Sequence, residues 1–198
     1  MTQQPLPPPV PPLRGLHITV AGAAGGVGTT TIASLLADAI IRRTGIPVRI
    51  VDHVGGTLST RLNGIHPASR FTIHDLGPLA PIAARQTTTP DTRTIIVTSP
   101  DTNAVDLTLD TFRHLTANTP SPPSDQYHII HHLIIVNTTS RHKPPDATTS
   151  HLQNQAPGAT IIPLPWDPQL TTPYPINQTT LTPATNHTIA QILQLFGL

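Results

Sequence analysis

The stretch GAAGGVGTTT at residues 22–31 decides the fold. It follows an apolar run at 16–21, which predicts a buried strand, and it precedes apolar residues at helical spacing. Glycines between a strand and a helix let the backbone turn tightly and direct N–H groups toward an anion at the positive end of the helix. The stretch therefore predicts a phosphate-binding turn, and a tight turn without a ligand is the alternative.

The residues after this turn predict a helix and a second strand, which complete a βαβ unit. Apolar residues share one helical face up to Ile40, cations follow at Arg42 and Arg43, and Gly45 ends the helix. The run VRIVD at 48–52 predicts a second strand. A strand, a helix and a strand in this order favour parallel pairing of the strands.

The rest of the chain repeats this alternation of strands and helices. We expect one doubly wound α/β domain over residues 16–198, with a mostly parallel sheet, helices on both faces and the site at the carboxyl ends of the strands. The Pro-rich residues 1–15 predict a disordered tail. The further elements are predicted as strands at 71–74, 94–98, 133–136 and 160–163, helices at about 103–115 and 187–196, and loops at 117–127, 140–158 and 168–186.

The amino-acid composition limits the classes of function that this protein can have. The formal charge of +1 gives no overall attraction to nucleic acid or anionic lipid, and no apolar run is long enough to span a membrane. We therefore expect a cytoplasmic protein, and the sequence gives no strong membrane signal and no direct evidence of nucleic-acid binding. The chain has no Cys and no Glu, and its single lysine is Lys143. Thiol chemistry is thus excluded, and a phosphate site has to form without most of the usual charged groups.

The glycine stretch resembles the phosphate loop of the ParA/MinD family of P-loop ATPases, which reads Lys-Gly-Gly-x-Gly-Lys-Thr-Thr. Both family lysines are absent, because Ala24 and Thr29 occupy their positions. In the family, the second lysine reaches the β- and γ-phosphates and the first reaches the nucleotide of the partner subunit. The resemblance implies that Thr29 and the matching residues surround the phosphates of ATP; the matching residues are Gly25, Gly26, Val27, Gly28, Thr30 and Thr31.

Two downstream stretches resemble the magnesium and catalytic segments of the same family. Residues 49–62 look like the strand that ends in the first of two acidic positions, here Asp52, and residues 71–78 look like the Walker B strand, with Asp75. The resemblance implies that the Thr30 hydroxyl binds Mg²⁺, that Asp75 holds the ion indirectly, and that Asp52 and Asp75 are the catalytic acids.

Two later stretches resemble the segments that bind the base. LIIVN at 133–137 ends in Asn137, which matches the asparagine that contacts adenine in the family. IIPLPWDP at 161–168 resembles a strand that ends in a Pro-x-Asp turn beside the base, which places Pro165 and Asp167 there. The likeness follows the family order over most of the chain.

The departures from the family predict impaired catalysis. A hydroxyl at Thr29 cannot replace the ammonium group that stabilises charge during phosphoryl transfer, and the second acidic position holds Val54. Only a short interval separates Asp52 from Asp75, so most of the helical switch segment of the family is missing. Arg61 is the cation that the sequence places best to compensate.

These features favour a pseudo-ATPase, which is a regulatory or scaffold relative with weak or vestigial binding of ATP and Mg²⁺. Such a protein could act as a homodimer and serve an unidentified protein partner. One alternative is an active ATP-dependent partition or positioning switch. The other is an NADP-binding Rossmann protein, because Gly22, Gly25 and Gly28 also suit a dinucleotide loop and Asp52 ends the second strand, where a ribose-binding acid belongs.

Overall fold

The computed structural model describes residues 15–54, 69–78, 92–118, 132–138, 146–171 and 176–198. The expected Pro-rich tail, except for Gly15, and Arg61 lie outside the described residues. Within those ranges, no helix combines the length and the apolar character that a membrane span requires.

Six strands form one parallel sheet in the described part of the chain. The strands are β1 (Leu16–Gly22), β2 (Val48–Asp52), β3 (Phe71–Asp75), β4 (Thr92–Thr98), β5 (His132–Asn137) and β6 (Thr160–Leu164). Their spatial order is β2-β3-β1-β4-β5-β6, and each neighbouring pair runs parallel. This confirms the predicted doubly wound α/β domain and adds that β3, not β2, lies beside β1.

Helices cover both faces of this sheet. In the described part of the chain these helices are α1 (Thr29–Thr44), α2 (Thr102–Asn118), α3 (Asp146–Gln155) and α4 (Pro183–Leu195). One face, with Ile18, Val20 and Ile135, packs in a single apolar cluster with α1 and α4. The other face, with Ile96 and Ile134, packs with α2 and α3. The carboxyl ends of all six strands therefore lie along one edge, where the connecting segments are free to form a site.

The helix α3 shows that the prediction of a loop over residues 140–158 was wrong. Leu152 is completely buried, but the helix is otherwise built mainly from polar residues. An apolar period is the signal by which a sequence reveals a helix, and one buried leucine does not form a period.

The prediction for the last helix placed its start too late. Residues 168–186 were expected to be a loop, yet α4 begins at Pro183, and short 3-10 turns occupy Pro168–Thr171 and Gln178–Thr180. The N-cap is Thr182, whose hydroxyl oxygen accepts a hydrogen bond from the Thr185 N–H at 3.3 Å. Pro183 then occupies the first helical position, which proline favours.

Two glycines in left-handed conformation set the limits of α1. Gly28 (φ 93°) directly precedes the helix and Gly45 (φ 68°) directly follows it. The N–H of Gly45 donates to the carbonyl of Ile41 at 2.8 Å and closes the last turn. The sequence predicted this end of the helix correctly. The positive end of α1 therefore lies directly after the glycine turn that follows β1.

Candidate functional site

The glycine turn is held in place by a side chain from β5. The Asn137 Nδ2 atom donates a hydrogen bond to the carbonyl of Val27 at 2.8 Å. A Cβ atom on Gly28 would overlap this same nitrogen, so a side chain at position 28 would displace the Asn137 amide. The resemblance implied that Asn137 contacts adenine; in the structure its amide nitrogen donates a hydrogen bond to the loop.

Thr29, in the position of the second family lysine, lies against the end of β1. It is only 6% exposed. A Cβ atom on Gly22 would lie 2.6 Å from the Thr29 hydroxyl oxygen and 2.9 Å from a methyl group of Val27. The glycine at position 22 thus makes room for the residue at position 29, and the loop closes tightly around this side chain.

The Thr30 hydroxyl and the Asp75 carboxylate form a direct pair. The hydroxyl donates to Asp75 Oδ2 at 2.7 Å, and the Gly77 N–H donates to Asp75 Oδ1 at 3.0 Å. Asp75 is fully buried. Burial raises the pKa of this carboxyl and the nearby Asp52 raises it further, against the opposing effect of the two hydrogen bonds. A buried carboxylate beside a hydroxyl offers hard oxygen ligands of the kind that Mg²⁺ prefers.

Asp52 is the last residue of β2, and Val54 comes two residues later, at the edge of the sheet that also holds Asp75. Asp52 is the register partner of Asp75, and its Oδ1 atom accepts a hydrogen bond from the Val54 N–H at 2.9 Å. Val54 is 40% exposed, and its methyl groups lie over Gly77, where a Cβ atom would meet Val54 Cγ1 at 2.7 Å. The second acidic position of the resemblance therefore presents an apolar surface beside Asp75.

A cavity of about 180 Å³ opens next to the loop, between the ends of β5 and β6. It extends from the positive end of α1 to the turn after β6. We name residues 22–31 with Asp75 and Gly77 the phosphate end, and the cavity walls beyond the loop the base end, after the ligand groups that the resemblance implies there. The lining residues are Gly26, Gly28, Thr31, Asn137, Thr138, Trp166, Asp167, Leu170 and Thr171.

The turn after β6 contributes its residues unequally. Trp166 and Asp167 line the cavity, whereas Pro165 is not among the lining residues. The Asp167 carboxylate accepts from the Thr182 N–H at 2.8 Å and from the Gln169 N–H at 3.0 Å. Burial acts to raise the pKa of Asp167, but these backbone donors prevail and lower it. Both carboxylate oxygens thus accept hydrogen bonds from the protein. Asp167 therefore stabilises the local backbone as well as lining the cavity.

No protein-family model matches the chain, and no curated protein matches it. Solved structures do match. A ParA family ATPase from Chlorobium tepidum TLS superposes with a TM-score of 0.65 at 15% identity, over 91% of this chain and 98% of that chain. The chain has the ParA-family ATPase fold. A putative plasmid partition protein from Borrelia burgdorferi B31, bound to AMPPNP, gives a TM-score of 0.59 at 13% identity, over 93% of this chain and 98% of that chain.

The strand order of this ParA-type fold differs from the common order of dinucleotide-binding folds, and this difference changes the position of Asp52. In the common Rossmann order, the second strand lies beside the first, so that its terminal acid reaches the ribose. Here β3 lies between β1 and β2, which puts β2 about 9–10 Å from β1. Asp52 therefore lies next to Asp75, not next to the glycine turn.

The ParA-type fold brings most of the expected residues to one edge of the sheet, in two groups. Thr30 contacts Asp75, and Asp52 is its register partner. Around the cavity lie Gly26, Gly28, Thr31, Asn137 and Asp167. The sequence did not indicate four other lining residues, which are Thr138, Trp166, Leu170 and Thr171. Trp166 carried a usable signal, because the only tryptophan of the chain stands inside the Pro-x-Asp turn.

Three histidines lie on the sheet face opposite Asp75. His53 Nε2 and His74 Nδ1 are 3.2 Å apart, and the ring of His17 stacks near that of His74 with centroids 5.9 Å apart. Burial, the two neighbouring histidines and Arg49 together lower the pKa of His74 to about 4. Among the described residues, no group of three or more potential ligands could hold a metal ion.

Proposed function

We propose that this chain is a ParA-like nucleotide-binding protein that binds Mg-ATP weakly and hydrolyses it little or not at all. Its task would then be regulation or scaffolding, with the nucleotide as a structural ligand. The observation that carries the proposal is the phosphate end. The Thr30–Asp75 pair and the glycine turn are formed, while the lysine position holds the buried hydroxyl side chain of Thr29.

The glycine turn supports the phosphate part of this proposal. The room at Gly22 and the left-handed backbone at Gly28 are both features that a side chain would abolish. The N–H groups at the start of α1 provide partial positive charge for an anion. These groups do not depend on a lysine, so they support weak binding of a triphosphate.

Thr30 and Asp75 are the residues that would hold the metal ion. Their hydroxyl and carboxylate oxygens suit Mg²⁺, and the pair is already assembled at 2.7 Å. When bound, Mg²⁺ supplies positive charge that neutralises the phosphate oxygens. The raised pKa of Asp75 fits this role, because a buried carboxylate without a cation is electrostatically costly.

Two residues support the loss of hydrolysis. A charge-assisted hydrogen bond contributes about 1.5–3 kcal/mol, which Thr29 cannot supply, and this weakens ATP binding by about ten- to a hundredfold. The transition state loses at least as much, because negative charge shifts there. Val54 places methyl groups beside Gly77, where the resemblance expects an acid that orients water.

The neighbouring structures suggest the kind of process. One is named a ParA family ATPase and another a putative plasmid partition protein. By analogy of fold, we propose that this chain acts in the cytoplasm on an unidentified protein partner, and that a homodimer is its assembled form.

An active ATP-dependent switch is the second candidate. The observation that favours it is the same Thr30–Asp75 hydrogen bond, because a relic without selection for nucleotide binding has no need of a buried carboxylate there. An arginine supplied from a second subunit would then take the place of the missing lysine.

The test combines phosphate release with calorimetry on the purified full chain. We expect no phosphate release above background, and weak heat of binding with Mg-ATP and Mg-ADP that disappears without Mg²⁺. Steady release that is abolished in Asp75→Ala would establish the active switch. Tight, metal-independent binding of NADPH would contradict both candidates and establish the dinucleotide alternative, against the strand order.

A further inference from the structure

Two histidine nitrogens face each other on the side of the sheet opposite Asp75. His53 Nε2 and His74 Nδ1 are 3.2 Å apart, and the two rings are inclined by 30° with centroids 5.5 Å apart. When two imidazole nitrogens bind one metal ion at about 2.0–2.1 Å, they lie about 2.8–3.4 Å from each other. The observed separation therefore suits two ligands of a single ion.

The pairing of β2 with β3 fixes the positions of both histidines. Asp52 and Asp75 are register partners, and the His53 N–H donates to the carbonyl of Asp75 at 3.0 Å, so the pairing continues one residue beyond β2. Successive side chains of a strand point to opposite faces of the sheet. His53 and His74 are each adjacent in sequence to one of the two acids, so they share the opposite face. An ion therefore meets two ligand atoms that are already in place.

Solvent and ions can reach this pair. His53 is exposed and His74 is partly exposed. His17 lies alongside, but its ring stacks on that of His74, and no third side chain among the described residues completes a ligand set. Water would fill the remaining positions around an ion. Such a site exchanges its ion readily, unlike the closed four-ligand sites that hold structural zinc.

The donor atoms decide which class of ion suits this pair. Imidazole nitrogen suits Zn²⁺, Cu²⁺ and Ni²⁺, whereas Mg²⁺ takes oxygen ligands. A neutral imidazole has one nitrogen without a proton, so each ring would carry its proton on the nitrogen that faces away from the ion. A transition metal at the histidines and Mg²⁺ at Thr30 and Asp75 would therefore not compete for ligands.

We propose that His53 Nε2 and His74 Nδ1 bind one divalent transition-metal ion of the class of Zn²⁺, on the sheet face opposite the phosphate end. Among the described strands, β3 is the only neighbour of β2. The bound ion ties this edge strand to β3 and stabilises the folded chain by mass action. The inference does not depend on nucleotide binding, so it and the proposed function can fail separately.

The experiment titrates Zn²⁺ into the full chain in excess Mg²⁺, with calorimetry and thermal unfolding as the two readouts. The comparison is the double variant His53→Gln with His74→Asn. The new amide groups lie near the replaced nitrogens and can keep a hydrogen bond, but imidazole is the better ligand for Zn²⁺. We expect the original chain to bind Zn²⁺ at least about tenfold more tightly than the double variant, since even an outer-shell partner contributes that much. Zn²⁺ should also raise the melting temperature of the original chain more.

Two further measurements assign the effect to this pair. His151→Gln removes an exposed histidine on α3, which packs near β6 at the opposite edge of the sheet, and should leave the affinity for Zn²⁺ unchanged. In nitrogen NMR spectra of the original chain, the first equivalent of Zn²⁺ should shift the signals of His53 Nε2 and His74 Nδ1.

Equal affinity of the original chain and the double variant for Zn²⁺ would overturn the inference and show that the two rings only share a hydrogen bond. An equal loss of affinity in His151→Gln would overturn it as well, because Zn²⁺ would then bind surface histidines in general. If the double variant does not fold, the NMR signals of the original chain decide, since unshifted signals of His53 and His74 at saturation contradict the proposal. Zn²⁺ binding at this pair without any binding of Mg-ATP would refute the proposed function alone.

Discussion

The phosphate end and the base end of the candidate site are built in opposite ways. At the phosphate end the polar groups are paired with one another, Thr30 with Asp75 and Asp75 with Gly77, but the cation expected from the resemblance is absent at Thr29. At the base end the Asn137 amide nitrogen and the Asp167 carboxylate are bonded to the protein, and the buried Thr138 hydroxyl has no hydrogen-bond partner among the described residues.

This difference shifts the expected source of affinity. In a P-loop with its lysine, charge on the phosphates supplies a large share of binding. Here the loop offers backbone N–H groups and the helix dipole, whose contribution is smaller and is screened by salt. The cavity beside Trp166 then contributes more of the total. Asn137 joins the two ends, because it lines the cavity and holds the carbonyl of Val27.

The largest expected effect comes from Gly28, which belongs to the phosphate end and also lines the cavity. Gly28→Ala should destabilise the fold by about 1–3 kcal/mol, because alanine is strained at φ 93° and its Cβ atom would displace the Asn137 amide. Nucleotide binding should be lost with it. Gly25→Ala is the matched control for stability, since a Cβ atom there meets nothing within 4 Å and no positive φ opposes it.

Urea unfolding of the two alanine variants measures this prediction. Equal free energies of unfolding for Gly28→Ala and Gly25→Ala would show that the contact between the loop and Asn137 does not hold the two ends together.

The second prediction restores the charge at the phosphate end. Thr29→Lys should raise the affinity for Mg-ATP by at least about tenfold, because an ammonium group contributes about 1.5 kcal/mol or more to a phosphate contact. Calorimetry measures the gain, and thermal stability in excess nucleotide should rise with it. Leu107→Lys, which adds the same charge at an exposed position on α2, should give no gain. If both lysines act alike, the effect is general electrostatics and the loop is not a phosphate cradle.

The smallest expected effect concerns Asp75 and pH. Its folded pKa is raised above its unfolded value by burial, so ionisation opposes folding. The contribution of this carboxyl to stability is therefore fully present below the unfolded pKa and is lost as the pH rises through the folded pKa. Asp75→Asn should thus be more stable than the original chain at pH 7 and lose this advantage at pH 4.

Thermal unfolding at the two pH values checks this result. The asparagine can keep both contacts, since its oxygen accepts from Gly77 and its amino group donates to the Thr30 hydroxyl. Asp52→Asn, at the register-paired and partly exposed position, should change stability less. An Asp75→Asn variant that is less stable at pH 7 would mean that a cation or a donor outside the described contacts stabilises the carboxylate.

Parts of the site that depend on local sequence could be predicted. The strand β1, the glycine turn, the start and end of α1 and the position of Asp75 follow from apolar runs, from glycines and from one acid at a strand end. The helix α3 could not be predicted in this way, because Leu152 is its only fully buried side chain. The start of α4 depended on the cap at Thr182, which the polar and Pro-rich sequence around it concealed.

The sequence by itself determined the fold class and the absence of a lysine from the glycine turn. The order of elements and the identity of residue 29 are properties of the chain alone. Tertiary structure decided the rest. The strand order placed Asp52 beside Asp75. Packing brought the Asn137 amide into contact with the Val27 carbonyl and left the Thr138 hydroxyl without a hydrogen bond among the described residues. Which hydrogen bonds a polar side chain forms depends on neighbours that lie far away in sequence, and no local pattern encodes them.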